Sequence, residues 1–283
     1  MSTLADILAT FDVQPTGDGR FTGTSPTDGP GQVVFGGQLL AQSLMAAVKT
    51  VPDKQVLSLH TVFARGASSE APLDIEVDVM NAGRAFGSCS VTIGQAGKVC
   101  TRSIVLLHAP DDDLIRHQLD APEVEGPDGL TGSTHAEWWD IRVTEGADIS
   151  DPEAIGPPEL RVWSRVPGAP DDLATSQALL AYASDGFLIG TAMRPHPGIG
   201  QSMAHVSVST TVLAQTLTFH EPFHAGDWLL LDQHATVAGR GRSHGRAEVF
   251  TQDGRMVASF SQENMIRDMP AAHRPADGGK AKF

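Results

Sequence analysis

The chain has 283 residues, of which 41% are hydrophobic and 19% are charged, and its 34 Asp and Glu against 20 Lys and Arg give a formal net charge of −14. With 29 Gly, 18 Pro and a single Tyr, this composition is typical of a β-rich globular protein with many turns, and it excludes a collagen-like or disordered chain. The excess of negative charge repels phosphate backbones and anionic lipids, so we expect neither a nucleic acid nor a membrane as a partner.

The chain starts with MSTLADILATFDV, which has neither the basic region nor the apolar core of a cleavable signal. No apolar run approaches the roughly 20 residues that a transmembrane helix needs. The two cysteines, Cys89 and Cys100, are too few for a disulfide framework and are interpreted as free thiols. We therefore predict a cytoplasmic protein.

The first half of the chain contains one apolar helical segment followed by alternating segments. Residues 36–49 (GGQLLAQSLMAAVK) carry apolar side chains nearly all the way round a helix, which predicts a buried helix rather than a surface one. Residues 73–79 and 88–93 alternate apolar and polar side chains, and a turn at Gly97 leads into the β-rich run 99–107. These segments predict antiparallel strands.

A stretch rich in Asp, Glu, Gly and Pro follows, over residues 110–157. This composition is typical of a linker, so we predict an N-terminal domain over 1–109 and a C-terminal domain over 158–283. Residues 138–143, within the linker, and 159–165 are candidate early strands of the second domain.

The second half repeats the order of the first. A helix is predicted over 172–189, with Asp171 and Asp172 as N-cap candidates. Four strands are predicted after it, over 210–219, 228–237, 246–250 and 256–265, with a hairpin turn at Asp253-Gly254.

Short markers recur between the halves at a nearly constant offset. The triplet 82–84 (AGR) returns 156 residues later as 238–240, Phe63 returns 156 residues later as Phe219, and 95–98 (QAGK) matches 252–255 (QDGR) 157 residues later. One buried helix wrapped by a long antiparallel sheet, present twice, is the pattern of two tandem hot-dog domains. The predicted fold class is therefore α+β.

The residues 241–245 (GRSHG) fit the G-x-S-x-G motif that positions a nucleophilic serine, here Ser243. That motif requires a strand before it and a helix after it, whereas residues 246–250 continue in alternation to a hairpin turn. We therefore do not expect Ser243 to be a nucleophile.

The eleven histidines raise the question of a metal site. His220 and His224 have helical ligand spacing, but Pro222 lies between them and breaks the geometry that such a pair uses. No other grouping of His, Asp and Cys predicts a site, so we expect no metal.

Six segments together resemble the type II acyl-CoA thioesterases, which are double hot-dog proteins. They are 33–38 (VVFGGQ), 59–63 (LHTVF), 170–173 (PDDL), 183–185 (ASD), 219–223 (FHEPF) and 261–263 (SQE). The resemblance implies hydrolysis of fatty acyl-CoA thioesters to free acid and CoA without a cofactor. It also implies a homo-oligomer, as does the cost of leaving sheet edges bare.

The resemblance also implies three catalytic residues that hold and activate water. The family's Asp maps to Asp185 on the second helix, and its Gln maps to Gln262 on the last strand. The family's Thr or Ser falls on Val212, which is a departure from the pattern. A bulge in that strand would bring Thr211 inward, and Thr211 is the predicted hydroxyl, whereas an unbulged strand makes Thr216 the alternative.

The chemistry of these residues agrees with that implication. A buried Asp185 has a raised pKa and is suited to act as a base, while the Gln262 amide shares a strand face with apolar residues and needs a partner. The N–H groups at Gly36 and Gly37 are candidate oxyanion donors. On pattern alone, Asp185 is better interpreted as a residue that ends a helix beside Gly186, and Gln262 as an ordinary buried amide. The resemblance reverses that preference for both, while the two glycines are equally a structural turn.

A polyanionic substrate on an acidic protein requires local positive charge. Arg84, Arg240 and Arg242 are therefore candidate contacts to the CoA phosphates, although each is also typical of a solvated loop arginine.

Two other functions are alternatives to thioester hydrolysis. Hot-dog hydratases resemble one another in an Asp followed five residues later by His on the central helix. Here that spacing occurs only at Asp112/His117 in the linker and Asp268/His273 in the tail, so we do not expect a hydratase. A non-catalytic acyl-CoA or lipid-binding module is the second alternative, because Val212 lacks the family hydroxyl.

Overall fold

The computed structural model describes residues 2–26, 33–131 and 133–274, apart from the side chains of residues 133–136 and 273. The helices are α1 (Leu4–Phe11), α2 (Gly36–Thr50), α3 (Leu173–Ala183) and α4 (Leu188–Met193). The strands are β1 (Gln14–Gly17), β2 (Arg20–Gly23), β3 (Gln55–Phe63), β4 (Leu73–Ala82), β5 (Phe86–Gln95), β6 (Lys98–His108), β7 (Ser133–Ala136), β8 (Trp139–Val143), β9 (Glu159–Arg165), β10 (Val208–Phe219), β11 (Leu229–Gly239), β12 (Arg242–Thr251) and β13 (Met256–Asp268).

The strands of the described residues form one antiparallel sheet in the order β1-β2-β4-β5-β6-β3-β10-β13-β12-β11-β9-β8-β7. The order β4-β5-β6-β3 in the first half mirrors β11-β12-β13-β10 in the second, as the recurring markers predict. The halves meet where β3 pairs with β10, with Leu59 opposite Leu217 and His60 opposite Thr216. The prediction of two tandem hot-dog domains is confirmed.

The helix α2 lies in the centre of the core. Leu40, Ala41 and Leu44 are fully buried, and residues on every side of the helix are covered. This burial confirms the interpretation of its apolar pattern. It packs on the inner face of the sheet and against α3.

The prediction of one helix over 172–189 is wrong, because two helices occupy this segment. Asp172 caps α3 as predicted, since its Oδ1 accepts from the Thr175 N–H at 2.8 Å. The helix ends at Ala183, and a turn over 184–187, in which the Gly186 N–H bonds to the Ala183 carbonyl, separates it from α4. Asp185 therefore lies in a turn rather than on a helix.

The segment before the second half lies against the sheet rather than apart from it. The Trp163 Nε1–H donates to the Glu125 carbonyl at 2.9 Å, and Val124 and Leu130 pack on a small apolar cluster around Trp163 and Trp228. The strands β7 and β8 extend the sheet beyond β9. The domain boundary itself, with its linker at 110–157, stays a prediction.

The helix α1 and the strands β1 and β2 were not predicted, because their segments are short and lack a sustained period. Cys89 and Cys100 are buried free thiols, and burial raises the pKa of Cys89 to about 11. None of the helices in the described ranges combines the length and the apolar character needed to cross a bilayer.

Candidate active site

Two glycines bring the start of α2 against the turn that follows α3. A Cβ on Gly36 would lie 2.7 Å from Asp185 Oδ2, and a Cβ on Gly37 would lie 2.9 Å from Tyr182 Cα. Both distances are shorter than real Cβ contacts, so only glycine permits this approach. The two glycines therefore allow the start of α2, in the first half of the chain, to pack directly against the turn after α3, in the second half.

Asp185 receives a hydrogen bond on each carboxylate oxygen. The Gly37 N–H donates to Oδ2 at 3.0 Å, and Gln262 Nε2 donates to Oδ1 at 3.3 Å. The loss of water around this carboxyl raises its pKa to about 7, while the Gly37 N–H, which stabilises the ionised form, partly opposes the rise. A carboxylate in this state is a useful proton acceptor near neutral pH.

Gln262 lies on β13 with its side chain almost fully buried. Its Nε2 also donates to Gln215 Oε1 at 2.9 Å, while its Oε1 has no hydrogen-bond partner among the described residues. A buried amide oxygen normally has a partner, so this atom is suited to accept from a water or a substrate group. The structure thus brings Gln262, Gly36 and Gly37 together at Asp185, and the catalytic roles given to these four residues stay predictions.

Sequence reasoning missed Gln215, the cross-strand neighbour of Gln262. A bulge between Val212 and Ala214 shifts the alternation of β10, so Gln215, Leu217 and Phe219 face inward. Counting backward from Phe219 in steps of two would have found Gln215, because Phe219 closes the strand on the buried side. The unbulged alternation that makes Thr216 the alternative hydroxyl fails, because it runs across this bulge.

Ser184 extends this set of polar contacts beyond Gln215. It is fully buried at the end of α3, where its hydroxyl donates to the Ala181 carbonyl at 2.8 Å. Its Oγ accepts from Gln215 Nε2 at 2.5 Å. The sequence offered no signal for this role, because Ser184 lies within the predicted helix 172–189 and its contact with Gln215 joins residues 31 positions apart.

Neither predicted hydroxyl lies at Asp185, which corrects the expectation from the sequence. The bulge follows Thr211 rather than preceding it, so Thr211 stays exposed and its hydroxyl donates to the Val212 carbonyl at 3.3 Å. Past the bulge, Thr216 faces outward and contacts His60 Nδ1 at 2.7 Å. Val212 is buried and offers no hydroxyl.

The Gly37 N–H does not point at open space, as an oxyanion donor would, because it is bonded to Asp185. In this structure it orients the carboxylate. The positive end of the α2 macrodipole nevertheless lies at Gly36, beside the same carboxylate.

The three arginines divide between opposite ends of the sheet. Arg242 begins β12, three residues before Gly245, which is the cross-strand neighbour of Gln262, and Arg240 lies in the adjacent turn. Both are exposed, and Arg267 lies against the same turn. Arg84 follows β4 and lies at the other end of the sheet. That end holds Gln55, the first residue of β3, whereas Phe63, the last residue of β3, lies at the opposite end. The structure therefore places Arg240 and Arg242 on the side of Asp185 and Arg84 on the far side, which corrects the grouping of the three.

Ser243 of the G-x-S-x-G motif lies buried within β12, and no helix follows it. Its Oγ accepts from Asn264 Nδ2 at 3.3 Å. The setting agrees with the expectation that Ser243 is not a nucleophile.

One group of potential metal ligands occurs in the part of the chain that the structure describes, at Asp232, His234 and Glu248. Its members come from two strands, so the sequence could not group them. Asp232 Oδ1 accepts from Arg161 Nε at 3.0 Å, and Glu248 pairs with Arg246. The carboxylates already have cationic partners, and we interpret the group as an ion-pair network.

Comparisons with known proteins agree with this geometry. The family described as the acyl-CoA thioesterase N-terminal domain matches residues 24–108, and the family described as its C-terminal domain matches residues 116–266. The acyl-CoA thioesterase 2 of Haemophilus influenzae is 27% identical, covering 93% of this chain and 98% of that protein. The human acyl-coenzyme A thioesterase 8 is 29% identical, covering 85% of this chain and 82% of its own length.

Solved structures give the same result. The acyl-CoA thioesterase II TesB2 of Mycobacterium marinum superposes with a TM-score of 0.79 and is 30% identical, covering 94% of this chain and 99% of its own. Since one family match alone spans more than half of the chain, the chain belongs to the acyl-CoA thioesterase family and is a thioester hydrolase.

Proposed function

We propose that this protein hydrolyses acyl-CoA thioesters by general-base catalysis, with Asp185 as the base and Gln262 as the residue that orients the attacking water. One observation carries the proposal: the Asp185 carboxyl, with a pKa of about 7, accepts a hydrogen bond from the Gln262 amide, and the buried oxygen of that amide has no partner among the described residues. A water between the two would donate one hydrogen to Asp185 and the other to Gln262 Oε1. Its lone pair would then be free to attack.

The reaction balances with side chains and water alone, so we propose no cofactor. The ionised Asp185 removes a proton from the water as the water oxygen bonds to the thioester carbonyl carbon. The carbon–sulfur bond then breaks, and Asp185 passes the proton that it took from the water to the departing thiolate. The products are the carboxylic acid and CoA.

The start of α2 supplies the electrostatic part of this proposal. Negative charge develops on the carbonyl oxygen as water adds, and the positive end of a helix stabilises such charge. Gly36 and Gly37 open this helix without side chains, so the helix end lies directly against the Asp185 carboxylate. In the proposal the Gly37 N–H holds the base, and the helix end as a whole faces the oxyanion.

We further propose that Arg240 and Arg242 contact the CoA phosphates. They are exposed and lie toward the Asp185 end of the sheet, roughly 10 Å from the level of Gln262 at about 3.3 Å per residue. The rest of the surface is strongly acidic, so a local pair of cations favours a polyanion at this end. Arg84 has no part in this site, because it lies at the opposite end.

The assembly and the compartment are also proposals. The sheet ends at β1 and β7, whose outer edges have no further strand among the described residues, and bare edges favour a homo-oligomer. The two buried, protonated thiols suit a reducing cytoplasm. A mass measurement in solution tests the first proposal, and fractionation of cells tests the second.

The test of the catalytic proposal is thiol release from short, medium and long acyl-CoAs by the parent protein and by its Asp185→Asn variant. We expect turnover by the parent, and a kcat that falls by about 10²–10⁴-fold in the variant, as is typical when a general base is lost. The matched control is Asp172→Asn, the same change at the other end of α3, where Asn caps the helix as well as Asp.

Retention of activity by Asp185→Asn would contradict the proposal. A protein that binds acyl-CoA but releases no thiol in any form would instead support the non-catalytic binding module, which the comparisons do not favour. The kcat of the parent should rise with pH through about 7, because only the ionised Asp185 accepts a proton.

A further inference from the structure

Gln215 contacts Gln262 in a way that the catalytic proposal does not use. Both side chains are about 1% exposed, and they face each other directly across β10 and β13. The Gln215 side chain bonds to Gln262 and to Ser184, whereas Asp185 accepts from Gln262 and Gly37, so Gln215 shares no hydrogen bond with the proposed base. Its effect on catalysis must therefore pass through Gln262.

The hydrogen bonds that link Ala181, Ser184, Gln215 and Gln262 can run from donor to acceptor in only one order. The Ala181 carbonyl can only accept, so the Ser184 hydroxyl donates to it and leaves the Ser184 oxygen as an acceptor. Gln215 must then turn its Nε2 toward Ser184, at 2.5 Å, and its Oε1 toward Gln262. A backbone group of α3 thus fixes which end of the Gln215 amide faces the site.

The orientation of Gln262 follows from that of Gln215. Gln262 must present Nε2 to Gln215 Oε1, at 2.9 Å, and its second Nε2 hydrogen then reaches Asp185. In the reverse orientation three acceptor oxygens, from Gln215, Gln262 and Asp185, would face one another without a donor. The observed orientation leaves Gln262 Oε1 as the acceptor without a partner among the described residues.

We propose that Gln215, fixed by Ser184, is a positioning residue that holds the Gln262 amide with its oxygen toward the attacking water and its nitrogen toward the base. This inference rests on the proposed roles of Asp185 and Gln262. It assigns to Gln215, beyond the β10 bulge, the ordering function for which the resemblance expects a hydroxyl at Val212.

The test compares kcat, KM and the pH profile of thiol release for Gln215→Met and Gln215→Glu. Methionine keeps the length of the side chain but removes both bonds, so Gln262 is free to rotate, and we expect kcat to fall by about 10–100-fold with little change in KM. The midpoint of the kcat profile should move to higher pH, because a rotated Gln262 no longer donates to Asp185.

The glutamic acid variant is the conservative rescue. In its protonated form, which burial favours, it offers one donor to Ser184 and one acceptor to Gln262, the same order as glutamine. We expect it to keep kcat within about threefold of the parent near neutral pH. Ser184→Ala removes the anchor and should lower kcat in the same direction by a smaller factor.

The matched control is Gln233→Met, because Gln233 is another fully buried glutamine, on β11, with no bond to these residues. If Gln215→Met keeps the kcat and pH midpoint of the parent, the inference is overturned. Equal losses in Gln215→Met and Gln233→Met, with equal changes in thermal stability, would also overturn it, since packing would then explain both. Asp185→Asn, assayed in parallel, reports failure of the catalytic proposal separately.

Discussion

The two halves of the sheet carry inward-facing polar pairs, but at different positions along equivalent strands. In the second half the inward pair is Gln215 opposite Gln262, and the corresponding pair in the first half is Leu59 opposite Val105. Both pairs are buried. The same strand positions therefore hold a polar site in one half and ordinary core in the other.

Two residues further along these strands, the polar pair lies in the first half and the apolar pair in the second. The first half has Thr61 opposite Ser103, whose hydroxyls bond to each other at 2.8 Å and reach Ser43 of α2. The second half has Leu217 opposite Phe260 at that level. Duplication thus fixes the backbone but not the location of buried polar groups. At the Gln215 and Gln262 positions the second half places two amides next to the Asp185 carboxylate, whereas the first half has Leu59 and Val105 there.

The largest expected effect comes from giving the second half the pair found in the first, with Gln215→Leu and Gln262→Val combined. We expect kcat to fall by about 10²–10³-fold, because water loses its orienting acceptor. The free energy of unfolding should fall by about 1–3 kcal/mol, because the buried Ser184 Oγ and Asp185 Oδ1 lose the donors that the two amides supply. Thiol release and denaturant unfolding measure the two, and a kcat within tenfold of the parent would contradict the comparison.

A second expected effect concerns the pH dependence of stability, measured as the difference in unfolding free energy between Asp185→Asn and the parent. Asp185 has a pKa of about 7 in the folded protein, against an ordinary value of 3.8, so the folded parent binds an extra proton between these two pH values. The parent should therefore lose about 3 kcal/mol relative to the variant from about pH 5 to pH 8. A pH-independent difference between the two proteins would show that Asp185 titrates normally.

A third expected effect comes from placing an amide in the first half, with Val105→Gln. Unlike Gln262, this side chain would meet no amide partner opposite, because Leu59 lies there. We expect the unfolding free energy to fall by about 2 kcal/mol, with kcat of the folded protein unchanged. Val237→Gln, at an exposed valine of β11, is the control and should shift stability by less than about 0.5 kcal/mol. Equal effects at both sites would contradict the contrast.

The smallest expected effect compares the equivalent turns of the two halves. Arg240→Glu combined with Arg242→Glu should raise KM for acyl-CoA by about three- to tenfold at low salt, with kcat little changed. The increase should shrink at high salt. Arg84→Glu, in the corresponding turn of the first half, should leave KM unchanged. A matching rise in that variant would instead indicate a general effect of net charge.

The sequence predicts most of the frame, because periodicity and Gly turns are local signals. The strands β4, β5, β6 and β13 and the helix α2 lie close to their predicted bounds. Asp185 and Gln262 were placed by resemblance. The bulge in β10 was not located, because it depends on pairing with two neighbouring strands rather than on the residues of β10 alone. That single shift explains why Thr211 and Thr216 were chosen and Gln215 was missed.

The hydrogen bond from the Gly37 N–H to Asp185 joins positions 148 residues apart in the chain. This bond has a consequence for the order of events during folding. Until the start of α2 meets the turn after α3, Asp185 is a hydrated carboxyl group with an ordinary pKa, and as a base it is weaker by about three powers of ten. In the proposed mechanism, assembly and activation are then one event, and we expect an incompletely folded copy of the chain to leave acyl-CoA intact.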